Sequence, residues 1–437
     1  MQMLAGRCQG QRNFFLSLLT LSREKCNPVC RDGWLYAPFA VPGIMPQDYL
    51  GGSNMPPVFF DNQYMKVAGF EQIISFSSLL QAHQKARCGK QYKKEVIEFE
   101  AHLSRNLWAL HYDLKYHRYK IQEYRKFTIY DPKEREIQAI PYRDRIVQHA
   151  LCDVLLIPLL ENHLINANCA CRMGKGTDYA IKLLRSFMTS HYRKYGGEGY
   201  FIKLDIKKYF PSIDHKILYR KLFRFYFDKD TNWLLHTVID PYSCNAKQAL
   251  RAAIEPAEGV ADSLDEAQGE PSPKKGLPMG NQSSQCFALL YLDRIDRFIK
   301  EKLRIKFYVR YMDDMILLLE NKILAQRILE TVQFEIEKEK LVLNPKSCII
   351  PVKNGVEFLG WRFCYGSNGK IIQKIKSQSR KRMLKKVRKN MFLAGQNILD
   401  LENLENSLAS YKGHLLRGNG YNLYEKIFGI VKKNKIT

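Results

Sequence analysis

The chain has 437 residues and carries 69 Lys and Arg against 44 Asp and Glu, a formal net charge of +25. That length exceeds one ordinary core and predicts two or three packed subdomains, for which 46% hydrophobic residues supply a sizeable interior. Positive charge spread along most of the chain selects a polyanion as partner, nucleic acid ahead of an anionic membrane surface. The absence of any apolar run near about 20 residues excludes a membrane-spanning helix.

Eleven cysteines, odd in number and dispersed, read as reduced thiols and place the protein in the cytoplasm. "CNPVC" at Cys26 and Cys30 is half a zinc site with no second pair at finger spacing. Residues 1–64 are Gly- and Pro-rich without a sustained period and read as an N-terminal extension or lid.

From "EQIISFSS" to "DLKYHRY" apolar positions recur every three or four residues, which predicts two helices. "YRKFTIYDPKEREIQAIPYRDR" alternates on either side of Asp131-Pro132 as a hairpin does. "RIVQHALCDVLLIPLLENHL" turns helical. "YFIKLD", Tyr200 to Asp205, is a buried strand, and a helix over roughly His215–Val238 follows. Residues 245–275, rich in Ala, Glu, Asp, Gly and Pro, read as an exposed insertion.

"NQSSQCFALLYLDRIDRFIKEKL" has a long helical period. "KFYVRYMDDMILLLE" then reads as strand, tight turn and strand, with Met312 and Asp313 at the bend. A further helix, about Lys322–Glu339, leads to the strand-like "KLVLNPKSCIIPVKNGVEFLGWRF", broken by Pro345 and Gly355, and the last sixty residues return to helix.

Asp313 and Asp314 lie in otherwise apolar sequence. Two like charges there are costly to bury unless a cation lies between them. A carboxylate pair at a hairpin bend, with a third carboxylate ending another strand at Asp205, is the oxygen-rich set that two divalent cations need for phosphoryl transfer. Neighbouring strands are expected to bring Asp205 opposite Asp313.

"YMDD" within "FYVRYMDDMILLL", together with "FIKLDIKKYFPSID", resembles the two metal-binding motifs of reverse transcriptases. Further motifs occur in that family's order: "YDPKEREIQAIPYRDRIVQHAL" and "CACRMGKGTDYAI" before Asp205, "GLPMGNQSSQCFALLYLDRID" between the aspartates, then "LVLNPKS" and "VEFLGWRF". The resemblance covers roughly residues 75–430. Where most of the family has Gln-Gly, three residues and Ser-Pro, this chain has "MGNQSSQ", Met279 to Gln285. That departure is similar to enzymes of diversity-generating retroelements and related antiphage systems of bacteria.

The resemblance implies an α+β right-hand polymerase with an antiparallel palm sheet, α/β fingers and a helical thumb. Fingers are expected over 65–200, palm over 201–365 and thumb over 366–437. It implies RNA-directed DNA synthesis with two Mg²⁺ ions, Mn²⁺ being the expected substitute. The implied partners are an RNA template, in particular a dedicated non-coding RNA, the DNA or RNA–DNA duplex product and deoxynucleoside triphosphates. An accessory protein or an oligomer is compatible with it, and no membrane is involved.

By the same likeness Asp205, Asp313 and Asp314 hold the metals, with the Ile206 carbonyl as an added ligand. Lys133, Arg135, Arg143, Phe210, Gly280, Gln282, Ser284 and Lys346 fall at nucleotide-binding positions, Phe210 being where an aromatic ring crowds a 2′-hydroxyl. Tyr311, Met312, Leu359, Gly360 and Trp361 fall where the family contacts nucleic acid. Lys374, Lys376, Arg380, Lys381, Arg382, Lys385, Lys386, Arg388 and Lys389 form a basic run suited to phosphates, with Met383, Leu384 and Val387 left to dock it.

Overall fold

The computed structural model describes residues 69–130, 134–240, 274–396 and 401–434. The N-terminal extension, the Cys26–Cys30 pair, Lys133 and nearly all of the 245–275 insertion lie outside them.

The region expected to form two helices forms four: α1 (Phe70–Ile74), α2 (Phe76–Arg87), α3 (Lys94–Ala101) and α4 (Leu103–Lys115). Ser75 separates the first two because its side chain accepts the Ser78 amide as an N-cap, an alternative to continuing the helix. His102 breaks the second pair. The expected hairpin follows as β1 (Arg125–Ile129) and β2 (Arg135–Ala139), paired antiparallel. Next come α5 (Tyr142–Leu151), a π-helical turn at Cys152–Leu156, α6 (Ile157–His163) and α7 (Thr177–Tyr195).

The central sheet runs β4 (Tyr308–Tyr311), β5 (Asp314–Leu319), β3 (Tyr200–Leu204) and β6 (Cys348–Pro351), with every pairing antiparallel. The continuous run "MILLL" makes β5 an inner strand, since an inner strand covered on both faces needs no polar alternation. Its residues divide by parity. Met315, Leu317 and Leu319 join Ile202 and Leu204 in the larger core. Ile316 and Leu318 join Phe201 in a second core beneath α7. Each fully buried aliphatic side chain there contributes about 1.5–3 kcal/mol.

The single helix expected over His215–Val238 is two, α9 (His215–Leu222) and α10 (Lys229–Ile239), after the short α8 (Tyr209–Ser212). Tyr226 takes a left-handed φ of 50° between them, and Asp228 caps α10 through the Thr231 amide. Beyond the insertion, α11 (Gln282–Tyr291) and α12 (Asp293–Arg297) carry the predicted long period into a π-helical turn. Helix α13 (Lys322–Lys338) closes the larger core through Ala325, Ile328, Val332 and Ile336.

A second sheet, β7 (Val356–Phe358), β8 (Trp361–Tyr365) and β9 (Ile371–Ile375), follows β6. Strand β9 falls in the span expected to be helical thumb; its apolar positions pair it to β8 before the helices begin. The chain ends in α14 (Ser377–Gly395), α15 (Leu401–Leu415) and α16 (Tyr421–Asn434), which share a small core of Met383, Val387, Leu415 and Ile427. The seven described cysteines are free thiols. Among the described residues no helix is long and apolar enough to cross a membrane.

Candidate active site

The register of β3 against β5 pairs Leu204 with Met315. One step further sets Asp205 opposite Asp314, not opposite Asp313 as expected; Asp313 occupies the turn itself. Parity puts Lys203, Asp205 and Asp314 on one face, and Lys203 Nζ lies 3.8 Å from Asp314 Oδ1. Asp205 is fixed through its backbone. Its amide donates to Ser347 Oγ at 3.1 Å, and its carbonyl accepts from the Asn344 amide at 2.8 Å and from Ser347 Oγ at 3.2 Å. Segment "LVLNPKS" therefore holds the end of β3, with an isolated bridge between Ile206 and Leu343 continuing the pairing.

Tyr311 pairs with Asp314, which leaves Met312 and Asp313 as a two-residue turn. Met312 has φ 55°, a left-handed conformation that costs a non-glycine residue about 1–2 kcal/mol. Arg310 Nη1 donates to the Met312 carbonyl at 2.9 Å and pins that conformation. Arg310 itself is fully buried against Asp296. A positive φ at the first residue of a two-residue hairpin turn matches the right-handed twist of β4 and β5.

Burial, above all, pushes the Asp314 carboxyl up to about 7; Lys203 pulls it down, while the charges of Asp205 and Asp313 push it further up. Its Oδ1 is buried without a hydrogen-bond partner. An orphaned, buried carboxylate oxygen beside two further carboxylates is a hard-oxygen donor set suited to Mg²⁺ or Mn²⁺. Among the described residues no three acidic, His or Cys side chains already converge into a cage. Mg²⁺ needs only one or two carboxylates when phosphate and water complete its octahedron. The residues thus fit divalent cations shared with a substrate, and they do not fit an ion held by protein alone.

The other expected residues fall into distinct settings. Phe210, on α8, is half-buried and edge-on to the fully buried Tyr209 at 5.7 Å. Gly280 has φ 115° and packs toward Ile137 of β2, so the hairpin overlies "MGNQ". Gln282 opens α11 half-buried, with its Oε1 unpartnered. Lys346 is exposed one residue from Ser347. Arg135 lies on β2.

Other expected residues meet packing, pairing or a strand within the chain. Ser284 is 1% exposed and offers a substrate no surface. Arg143 is tied to Asp113 at 2.6 Å and lies over the Tyr119 ring, so an internal partner already holds its charge. Trp361 is 2% exposed and packs beside His414 and the backbone of Gly418; its bulk joins β8 to α15 where a nucleic-acid contact was expected. Lys374 lies on β9 and Lys376 precedes α14, so the basic run on the helix itself begins at Arg380. The turn residues Leu359 and Gly360 both have positive φ, the conformation a two-residue hairpin turn with right-handed strand twist requires. Lys374, Arg380, Arg362 and Lys426 line one crevice between β8, β9 and the terminal helices, and Lys376 pairs with Glu357 at 2.6 Å.

Sequence reasoning missed Arg310, Asp296, Lys203 and Ser347. The signal for Arg310 was present, since it is a charge in the same apolar stretch that exposed the aspartates. Ser347 ends the motif "LVLNPKS", but its hydroxyl acts on the Asp205 backbone, a contact that only the fold displays.

The family model described as "Reverse transcriptase (RNA-dependent DNA polymerase)" matches residues 130–363, more than half of the chain. No curated protein sequence matches it. Among solved structures, the chain is similar to telomerase from Candida albicans in complex with a TWJ fragment of telomeric RNA, at 15% identity and TM-score 0.40, over 73% of this chain and 56% of that one. It is also similar to apo telomerase from Candida tropicalis, at 13% identity and TM-score 0.44, over 72% of this chain and 60% of that one. The chain thus spans a little over half the length of these two. With a matching model that runs from the hairpin through the aspartate turn to β8, the chain belongs to the reverse transcriptase (RNA-dependent DNA polymerase) family.

Proposed function

We propose that the protein is an RNA-directed DNA polymerase, a nucleotidyltransferase that extends a primer with deoxynucleotides copied from RNA. The observation that carries this reading is the placement of Asp205 opposite Asp314, beside a strained turn that bears Asp313. Asp205, Asp313, Asp314 and the Ile206 carbonyl would hold two divalent cations, Mg²⁺ or in its place Mn²⁺. When bound, these supply charge compensation at the attacked α-phosphate and the departing pyrophosphate.

The chain's own residues position the reaction. Ser347 and Asn344 fix the Asp205 backbone, Lys203 offsets the charge of Asp314, and Arg310 holds the turn. Phe210 is the residue we assign to sorting deoxynucleotides from ribonucleotides, by crowding the 2′ position. Lys346, Gln282 and the basic hairpin with Lys133 and Arg135 would meet the triphosphate, Lys as a point charge and Arg as a fork. Exposed cations of α14, from Arg380 to Lys389, would follow the phosphates of template–primer duplex. In this assignment fingers span 65–200, palm 201–365 and thumb 366–437.

For the biological setting we favour antiphage defence or a related bacterial retroelement with a dedicated non-coding RNA as template. Met279 in place of the family's Gln favours a second reading, mutagenic copying in a diversity-generating retroelement. It removes a hydrogen-bonding side chain beside Gly280. Equal misincorporation by the unaltered chain and by Met279→Gln with Gln285→Pro counts against that second reading.

The polymerase reading is tested by incorporation of labelled deoxynucleotide on a primed RNA template. The unaltered chain is expected to extend the primer, and Asp313→Ala with Asp314→Ala is expected to be inert. If both are inert on every template tried, the polymerase reading falls, and a non-catalytic RNA-binding scaffold is the reading left to test.

A further inference from the structure

Helix α4 carries a surface that the polymerase site does not use. Trp108, Tyr112 and Tyr116 recur at four-residue spacing, which lines them along one side of the helix. Phe76, the first residue of α2, adds a fourth ring. Consecutive ring centroids lie 5.0, 5.8 and 6.2 Å apart, with planes inclined by only 28°, 29° and 10°. The ladder is not what anchors the helix, because Leu107, Leu110 and Leu114 are its buried face. Trp108, Tyr112 and Tyr116 instead remain 43%, 45% and 60% exposed. Single exposed aromatics are ordinary, but a contiguous row marks an interaction site.

Charge beside the row selects its partner. Arg105, Lys115, Arg118 and Lys120 are all exposed, and the Arg118 guanidinium lies 5.4 Å from the centre of the Tyr116 ring. The one acidic residue of α4, Asp113, is paired to Arg143 at 2.6 Å, with Arg118 Nε 3.9 Å from its other oxygen. A ribbon one ring wide and edged with cations is poor cover for a protein helix, which needs a broader aliphatic groove. It suits a flexible polyanion with planar bases, which stack on aromatic rings and on Arg planes while Lys and Arg meet the phosphates. Tyr119, three residues beyond Tyr116, donates to Asp144 of α5 just after β2.

We propose that the Phe76–Trp108–Tyr112–Tyr116 ladder is a binding site for an unpaired segment of RNA, bases stacking on the rings and phosphates meeting Arg105, Lys115 and Arg118. Its assignment to RNA rests on the RNA-directed reading above; the stacking itself does not.

The test uses the full chain and fluorescence anisotropy with a labelled oligouridylate of about 12 nucleotides, within the span such platforms cover. Tyr112→Ala with Tyr116→Ala is expected to weaken binding at least about tenfold, while Tyr112→Phe with Tyr116→Phe binds like the unaltered chain. An abasic oligomer of the same length is expected to bind all three equally. The proposal is overturned if the double alanine variant holds oligouridylate as tightly as the unaltered chain. It is also overturned if that variant loses the abasic oligomer in the same proportion, or if the double phenylalanine variant is equally weak. Ultraviolet crosslinking in cells separates the sources: nuclease treatment of strands crosslinked at α4 should show RNA, and DNA there contradicts the assignment. A short primed RNA template with only two unpaired template nucleotides beyond the primer end should still be extended by the double alanine variant. Failure of the unaltered chain on that template is instead a failure of the polymerase reading.

Discussion

Arg310 and Asp296 face one another with no solvent exposure, Nε to Oδ1 at 2.7 Å and Nη2 to Oδ2 at 2.5 Å. Tyr308 donates to the same carboxylate at 2.6 Å, and Arg310 also reaches the carbonyls of Leu289 and Met312. This one side chain therefore joins α11, α12 and the aspartate turn. Removing one partner of a buried pair strands the other charge, at a cost of about 3–5 kcal/mol. Arg310→Met and Asp296→Leu should each lose that much in urea unfolding, and the double variant much less than the sum. Arg310→Lys keeps the charge but not the fork, so nucleotide incorporation should fall by more than the stability loss explains.

Asp314 lies in an environment that opposes its charge: burial first, then the like charges of Asp205 and Asp313. Asp314→Asn should raise the melting temperature of the metal-free protein by about a few degrees while abolishing incorporation. Calorimetry checks the melting temperature and labelled-nucleotide incorporation checks the activity, and Mg²⁺ added together with a primed template and a deoxynucleoside triphosphate should stabilise the unaltered chain more than the variant. A lower melting temperature in the variant would contradict the account.

Asp214 gives a pH dependence remote from the turn. Burial would raise its carboxyl, but the hydrogen bonds from Lys340 at 2.8 Å and from the Ile217 amide outweigh burial and hold it below the usual range. A group whose folded pKa is depressed contributes stability above its unfolded value of about 4, and that contribution is lost as pH falls through the folded value. Asp214→Asn keeps the N-cap acceptor but loses the charge that faces Lys340, so it should cost about 1 kcal/mol at neutral pH and progressively less as the pH drops below about 4. Urea midpoints across that range test it.

Trp361 separates a packing role from a nucleic-acid role. Buried against His414 and Gly418, it should cost about 3–5 kcal/mol when replaced by Ala, and Trp361→Phe should recover most of that loss. If Trp361→Ala leaves the melting temperature unchanged and weakens only duplex binding, the ring acts as a contact and the packing assignment fails.

Much of this was legible in the sequence, for physical reasons that differ by residue. The aspartates stood out because charge in an apolar strand is costly, and the "MILLL" parity dictates two cores. The β1–β2 hairpin follows from alternation on either side of Asp131-Pro132, and the turn at Met312-Asp313 from two apolar strands interrupted by a polar bend. What failed was long-range. Register alone places Asp205 opposite Asp314, and a cap at Ser75 or a left-handed residue at Tyr226 divides helices that periodicity runs together. Burial of Ser284 and Trp361, and the pairing of Arg143 with Asp113, depend on elements distant in the chain, so their motif positions did not reveal them.

The central claim is that three carboxylates, just past the end of β3, in the β4–β5 turn and at the start of β5, act as one site. Single-nucleotide incorporation on a primed RNA template, measured for Asp205→Asn, Asp313→Asn and Asp314→Asn separately, tests it most directly. Each variant should remain folded and lose at least about a hundredfold in rate, as removal of an electrostatic contact to the transition state does. Any one of the three incorporating at a rate close to that of the unaltered chain would contradict the assignment.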